Sequence, residues 1–244
     1  MTRWLSFGSG VRNGHPVVYC LPFAGGGASF YRPWMQLAPR TFAMVPVQPP
    51  GREDRLFEPS FESMPELVHA AADALVPFLR QPYVLFGHSM GGMIAYELAQ
   101  ELRRRGAPQP KHLVVSGAPA PHVASEVPAI YHLPEPQLVA EIRRRYGGLP
   151  DEVLGSRELL DLLLPRLRAD LSVTGTYVYR DSPPLTCPIT AFGGESDETV
   201  TPPMIAAWRE HTVTRFHSEI LPGGHFFLND FASQIISTLE KAVG

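Results

Sequence analysis

The amino-acid sequence predicts a single α/β domain in which helices cover both faces of a mostly parallel sheet. Short apolar runs, rich in β-branched and aromatic residues, recur along the chain, and helix-like segments separate most of them. This alternation is typical of a parallel sheet. The runs occupy residues 17–21, 42–47, 83–86, 113–115, 189–192 and 216–221. A chain of 244 residues can bury a large core, and it contains no repeat or linker, so we expect one domain over residues 1–244.

Two amphipathic helices are predicted to cover this sheet. The first begins at a sequence that is typical of a capping box with a proline near the helix start, Ser63-Met64-Pro65-Glu66. Its apolar positions then recur at helical spacing through Leu67, Ala71, Ala74 and Phe78. The second closes the chain, where an apolar residue recurs every four positions at Phe231, Ile235 and Leu239.

Residues 120–179 interrupt the alternation of strands and helices. No strand-like run occurs in them before Thr176, and prolines at positions 119, 121, 128, 134 and 136 precede apolar residues at helical spacing. These apolar residues are Leu138, Ile142, Tyr146, Leu159, Leu160, Leu163, Leu164 and Leu167. We predict a helical insertion whose first helix ends at Gly147-Gly148. Ordinary crossover helices are the alternative.

Composition and charge exclude several classes of function. Lysine and arginine number 21 against 24 aspartates and glutamates, so the net charge of −3 gives no basis for binding nucleic acid or an anionic membrane. Cys20 and Cys187 lie far apart without a CxxC pair, so neither a disulfide framework nor a cysteine-based zinc site is expected. No secretory signal follows Met1, and prolines and glycines in residues 13–31 exclude a membrane-spanning helix there. We expect a cytoplasmic protein with reduced thiols.

One strand-like run leads directly into a GxSxG motif, and a helix-forming stretch follows it. The motif is GHSMG at residues 87–91. This order is typical of a nucleophile elbow, in which Gly87 and Gly91 leave room for a tight turn that exposes the Ser89 hydroxyl. A helix from Met90 to Arg105 would direct the Met90 N–H toward an oxyanion at this serine. We therefore predict Ser89 as the nucleophile, although GxSxG alone also occurs by chance.

A nucleophilic serine needs a histidine base that a carboxylate orients. Nine histidines compete, and His88, beside the serine, is expected to point off the elbow. Only His225 directly follows a late strand, in a glycine-rich loop flanked by aromatic residues. Asp197 and Glu195 both leave the preceding strand through a glycine pair, so both are candidate acids. The chain order Ser89, Asp197, His225 is the order found in α/β hydrolases.

A second oxyanion donor is expected in the loop after the first strand. That loop contains Pro22, Phe23 and Ala24, followed by three glycines, and we choose the Ala24 N–H as the partner of the Met90 N–H. Glycine runs also bind phosphate groups, but neither Gly-Lys-Ser/Thr nor GxGxxG is present here. Nucleotide binding is therefore not expected.

Taken together and in order, these motifs resemble the type II (editing) thioesterases of polyketide and nonribosomal peptide assembly lines, a branch of the α/β hydrolases. The resemblance rests on Pro22-Phe23-Ala24-Gly25-Gly26, Pro50-Gly51-Arg52-Glu53-Asp54-Arg55, Gly87-His88-Ser89-Met90-Gly91, Cys187-Pro188-Ile189, Gly193-Gly194 with Asp197, and Gly223-Gly224-His225-Phe226. It implies hydrolysis of acyl thioesters from the phosphopantetheine arm of acyl or peptidyl carrier proteins, which clears stalled chains, with no metal or organic cofactor. It also implies that residues 120–179 form a mobile lid over an acyl channel. Gln48 departs from the family pattern, which more often has leucine near this Pro-Gly.

The sequence leaves several alternatives open. Arg52 is at least as compatible with a structural network as with substrate contact, since arginines beside acids often form solvated networks. The triple-arginine runs at 103–105 and 143–145 suit either an acidic carrier protein or a solvated helix face. The rival functions are a general carboxylesterase or lipase with the same triad and an inactive hydrolase fold that serves as a binding module.

Overall fold

Among the described residues, six parallel strands form the central sheet of the molecule. A computed structural model of the chain describes residues 2–6, 15–79, 82–123, 128–147 and 149–244. The strands lie in the order β2-β1-β3-β4-β5-β6, and each neighbouring pair is parallel. Their bounds are β1 Val17–Leu21, β2 Ala43–Pro46, β3 Tyr83–His88, β4 His112–Ser116, β5 Ile189–Gly194 and β6 Phe216–Leu221. Each of the six predicted runs therefore forms a strand.

Helices cover both faces of this sheet, as predicted. Because successive side chains of a strand point to opposite faces, Val17 and Tyr19 enter one core while Val18 and Cys20 enter the other. The first core also contains residues of α2 and α3, and the second contains residues of α1 and α8. The α-helices are α1 Arg32–Leu37, α2 Met64–Leu75, α3 Met90–Arg104, α4 Glu135–Tyr146, α5 Asp151–Leu154, α6 Arg157–Gly175, α7 Pro202–Ala206 and α8 Ala232–Val243.

The two helices predicted from periodicity are present, with one correction. Ile235 and Leu239 of α8 are fully buried, as their spacing indicates. Helix α2 begins after Ser63, but the Ser63 side chain makes no capping hydrogen bond. The helix also ends earlier than predicted, because Pro77 has no N–H to continue the helical hydrogen bonds, and the chain goes on as a 3₁₀ turn, Val76–Phe78. Phe78 is therefore outside α2 and partly exposed.

Helices α4, α5 and α6 occupy the described part of residues 120–179, and no strand is found there. Their apolar residues form a third cluster, separate from the two sheet cores, that contains Ile130, Leu138, Ile142, Leu164, Leu167 and Leu171. Leu159 and Leu163 are more than one third exposed, so the predicted apolar stripe of α6 is only partly buried. Gly147 ends α4 with a φ of 84°, while Gly148 lies outside the described residues. We refer to residues 120–179 as the inserted segment.

No helix within the described ranges combines the length and apolar character needed to cross a bilayer. Both cysteines are buried, and each carries a free thiol.

Candidate active site

Ser89 lies at a sharp turn between β3 and α3, in backbone strain that only a tightly packed turn maintains. Its φ and ψ are 54° and −120°, which is unusual for a residue with a side chain. The two motif glycines are required by space: a Cβ on Gly87 would lie 2.0 Å from the Gly91 carbonyl oxygen, and one on Gly91 would lie 2.3 Å from the Leu21 oxygen. The Ser89 N–H donates to the Ser116 oxygen at 2.7 Å, which ties the turn to β4.

Ser89, His225 and Asp197 form a continuous hydrogen-bonded chain. His225 Nε2 lies 2.9 Å from Ser89 Oγ, and His225 Nδ1 lies 2.7 Å from Asp197 Oδ2. The second Asp197 oxygen accepts hydrogen bonds from the Thr199 N–H and hydroxyl and from the Val200 N–H. This is the arrangement of a Ser-His-Asp triad, in which the histidine takes the serine proton and the carboxylate fixes its tautomer.

The environment of Asp197 keeps its carboxylate charged. Burial raises the pKa of Asp197. The hydrogen bond and charge of His225, with the hydrogen bonds from Thr199, lower it by more, so the pKa lies below the usual value for an aspartate. Glu195, the other candidate acid, is exposed and outside this chain of contacts. The geometry therefore selects Asp197 over Glu195.

The loops that carry the acid and the histidine pack backbone against backbone. The Ser196 N–H donates to the Gly223 oxygen at 2.9 Å, and the Glu195 N–H donates to the Leu221 oxygen at 2.8 Å. A Cβ on Gly194 would lie 2.4 Å from the Gly224 oxygen. The glycine pairs at the end of β5 and just after β6 thus allow the close approach that brings Asp197 to His225.

Aromatic rings surround the His225 imidazole. The rings of Tyr146 and His88 have centroids 4.9 Å and 5.0 Å from it, and Phe226 lies 5.4 Å away. His88 is fully buried behind the elbow, where its Nδ1 contacts Ser116 Oγ at 3.0 Å. Burial, followed by the nearby His225, lowers the pKa of His88 far below its usual value. His88 is therefore neutral and packs behind the base.

A cavity of about 550 Å³ opens beside Ser89. Ala24 and Met90, the predicted oxyanion donors, both line it together with Ser89 and His225. The predicted site residues therefore meet at one place in the fold. Helices and loops of the inserted segment supply many of its apolar side chains, which include Ile142, Tyr146, Leu149, Val153, Leu164 and Leu167.

This site can be compared with known proteins. A family model described as "Thioesterase domain" matches residues 16–243. The chain belongs to the thioesterase family. It is 39% identical over 224 residues to gramicidin S biosynthesis protein GrsT of Aneurinibacillus migulanus, a match that covers 92% of this chain and 87% of that protein.

Solved thioesterase structures superpose closely on this chain. RedJ, a thioesterase of the prodiginine pathway in Streptomyces coelicolor, is 41% identical with a TM-score of 0.86, and 93% of each chain is covered. The type II thioesterase BorB of the borrelidin biosynthetic cluster is 36% identical with a TM-score of 0.87, covering 98% of this chain and 96% of that one. The resemblance to type II thioesterases and the α/β-hydrolase fold expected from the motifs are thus confirmed.

The PGRED segment of this thioesterase has a structural use. Arg52 is buried and forms an ion pair with Asp170 of α6 at 2.6 Å. Gln48, the departure from the family pattern, is also buried: its Oε1 accepts the Ala28 N–H and its Nε2 donates to Glu53 Oε2, both at 2.8 Å. Gln48 therefore joins the loop after β1 to the loop after β2.

Most arginines of the two triple-arginine runs form hydrogen bonds or ion pairs with other residues of this chain. Arg103 donates to the Pro183 and Pro184 oxygens, and Arg104 and Arg105 pair with Glu101. This run ends α3, about 22 Å from Ser89 along a fifteen-residue helix. In the second run, Arg144 and Arg145 pair with Glu141, and Arg144 also reaches Glu198 beside the catalytic-acid candidate. Arg143 is exposed on α4.

Three residues at the site were not predicted from sequence. Thr199 follows Asp197 by two positions, a spacing at which a hydroxyl and an N–H commonly bond to an aspartate side chain. Tyr146 was assigned only to an apolar helix face, and Asp170 was not singled out. An acid between Leu167 and Leu171 on the apolar side of a helix is the signal that points to Asp170, since buried acids require a partner.

Proposed function

We propose that this thioesterase hydrolyses acyl thioesters carried on the phosphopantetheine arm of acyl or peptidyl carrier proteins. In this role it removes stalled or aberrant acyl groups from a polyketide or nonribosomal peptide synthase in the cytoplasm. The observation that carries the proposal is the Ser89-His225-Asp197 chain at the base of a mostly apolar cavity, in a fold shared with type II thioesterases. An apolar cavity suits an acyl chain, and buried free thiols suit a reducing compartment.

The reaction proceeds through an acyl-enzyme. His225 Nε2 takes the Ser89 proton as the Oγ attacks the thioester carbonyl, and Asp197 stabilises the resulting imidazolium. The backbone N–H groups of Ala24 and Met90 donate to the oxyanion. The C–S bond then breaks, and the pantetheine sulfur leaves as a thiol with the proton from His225. Water, deprotonated by His225, attacks the acyl-enzyme, the ester C–O bond breaks, and His225 returns the proton to Ser89 Oγ as the free acid leaves.

The inserted segment acts as a mobile lid in this proposal. Its apolar side chains line the cavity, and Tyr146 packs on the imidazole of His225. A lid of this kind excludes water from the acyl chain and must move for the carrier-bound substrate to enter.

Comparison of leaving groups tests the substrate class. For one short acyl group, we expect kcat/KM to decrease from acyl carrier protein to acyl-CoA or acyl-pantetheine and then to a simple oxygen ester. Carrier contacts worth about 2 to 3 kcal/mol would give roughly a 30- to 150-fold preference. Equal rates with oxygen esters or emulsified lipids would instead identify a general esterase. Binding of the carrier protein without hydrolysis of any substrate would identify a binding module.

A further inference from the structure

Two opposite charges are buried in the wall of the active-site cavity. Arg52 and Asp170 are 8% and 2% exposed, and Arg52 Nη2 lies 2.6 Å from Asp170 Oδ1. Burial raises the pKa of Asp170 above its usual value, although Arg52 and the Gly25 N–H both lower it and favour the charged carboxylate. A buried ion pair is weak evidence for a gain in stability, because well-packed apolar residues often serve as well. The pair therefore calls for a different explanation.

Both members of the pair bind the same backbone turn. Asp170 Oδ2 accepts the Gly25 N–H at 2.7 Å, and Arg52 Nη1 donates to the Gly26 oxygen at 3.1 Å. The turn itself is closed by a hydrogen bond from the Gly26 N–H to the Phe23 oxygen at 2.9 Å. Asp170 thus binds the N–H of Gly25, and Arg52 binds the carbonyl oxygen of the next residue, Gly26.

This turn contains Ala24, whose N–H is the proposed oxyanion donor. The Gly25 N–H belongs to the peptide group that follows Ala24, so fixing it restricts the backbone rotation at Ala24. Gly25 has a φ of 77°, a conformation that residues with side chains rarely adopt, and a Cβ there would lie 3.1 Å from Leu167. The turn is therefore in a conformation that its glycines permit and that Asp170 and Arg52 select.

We infer that the Arg52–Asp170 pair positions the oxyanion turn, so that helix α6 of the inserted segment helps to build the transition-state site as well as the cavity. The inference rests on the proposed role of the Ala24 N–H. Asp170 and Arg52 are positioning residues, since they act on the reacting oxygen through the backbone of residues 23–26. Donor alignment matters most when the oxyanion carries full charge, so the pair contributes more to the transition state than to substrate binding.

Substitution of Asp170 by asparagine tests this inference. An amide has an oxygen at only one of the two positions that Oδ1 and Oδ2 occupy, so either Arg52 or the Gly25 N–H loses its acceptor and faces an NH₂ group. Loss of a complete oxyanion donor costs about 10²–10³ in kcat, and for the misaligned donor of Asp170→Asn we expect a decrease of about tenfold to a hundredfold with KM changed less than threefold. The matched control is Asp161→Asn, which removes an exposed ion pair with Arg157 on the same helix and should leave kcat within twofold.

Inhibitor affinity separates positioning from a structural role. A short-chain alkyl trifluoromethyl ketone forms a tetrahedral adduct when Ser89 Oγ bonds to its carbonyl carbon, the serine proton passes to His225, and the carbonyl electrons become an oxyanion. In Asp170→Asn, the Ki of this ketone should rise. The kcat for p-nitrophenyl acetate should fall by the same factor. Affinity for the product carboxylic acid and the Tm should change little by comparison.

Two outcomes overturn the inference. One is an Asp170→Asn protein with kcat and Ki within twofold of the wild type; the other is a raised KM with unchanged Ki, which would assign the pair to substrate binding. If Asp170→Asn fails to fold, Arg52→Lys decides by the same criteria, because a lysine cannot reproduce the two-pronged contact. Failure of the proposed function appears instead in the wild-type protein, as no acid release from acyl carrier protein.

Discussion

The sheet and the inserted segment are held in place by different kinds of contact. The strands lie between two large apolar cores, and Ser89, Asp197 and His225 follow the carboxyl ends of β3, β5 and β6 in turns whose glycines pack closely against neighbouring backbone. The inserted segment has its own small apolar cluster, buries Ala120 and Val173 in the first sheet core, and makes polar contacts with the rest of the chain through Asp170, Arg144 and Tyr177. Ser89, His225 and Asp197 are thus held by the ends of the strands, whereas the cavity wall and the turn at Ala24 also depend on contacts from the inserted segment.

The largest effect should come from the nucleophile on the sheet side of this comparison. Ser89→Ala should abolish turnover and leave the fold intact, because the elbow accepts a smaller side chain while the covalent step loses its attacking atom. A fluorophosphonate label, mapped by mass spectrometry, should be found on Ser89 in the wild type and be absent from the variant. A label on another serine would show that the elbow does not carry the nucleophile.

The acid of the sheet region should have the next largest effect. Asp197→Asn should lower kcat on the order of a thousandfold or more, because an amide favours the wrong tautomer of His225. Glu195→Gln is the matched control, since this exposed residue leaves the same loop two positions earlier. Single-turnover kinetics of both variants would measure the effect, and a larger loss in Glu195→Gln would reverse the assignment.

Hydrogen exchange tests whether the inserted segment detaches more readily than the sheet. We expect amides in α4 and α6 to exchange at least tenfold faster than those of β3, because local opening breaks fewer buried apolar contacts there. Arg144→Gln removes the ion pair to Glu198 and should increase exchange in α4 while leaving β3 unchanged. Equal protection of α6 and β3 in the wild type would contradict a mobile lid.

Acid should destabilise the sheet region more than the inserted segment. This effect is expected to be smaller than those described above. Burial, followed by the charge of His122, lowers the pKa of His211 to about 4, and burial lowers the pKa of His112 to about 4. The unfolded chain, with histidine pKa values of about 6.5, binds more protons than the folded one between these limits. The free energy of unfolding should therefore fall as the pH decreases from about 6.5 toward 4, by up to about 1.4 kcal/mol per pH unit for each histidine.

Urea unfolding at pH 7, 6 and 5 measures this dependence. In His211→Gln, the slope of the unfolding free energy against pH should decrease by the contribution of about one proton. This change in slope is independent of any loss of stability at pH 7. An unchanged slope would show that His211 is protonated in the folded protein.

The sequence was informative where structure is set locally and less so where distant segments meet. Glycines at 87 and 91 predict the elbow because the steric demand lies within one turn, and the strand ends predict His225 because parallel strands present their carboxyl ends at one edge. The residues alone left both Asp197 and Glu195 open, since both acids follow the same glycine pair; the resemblance to type II thioesterases favoured Asp197, which is the acid that contacts His225 in the folded loop. Asp170 and Tyr146 escaped prediction because their partners, Gly25 and His225, lie far away in the chain.

The tie between Asp170 and Gly25 has a consequence for the order in which the protein assembles. The two residues are separated by 145 positions, so their contact closes a long loop and carries a large entropic cost until the sheet has formed. In refolding, far-ultraviolet circular dichroism should therefore recover before esterase activity. An intermediate in which the sheet has brought Ser89, His225 and Asp197 together but Asp170 has not yet reached Gly25 would have its triad in place and remain a poor catalyst.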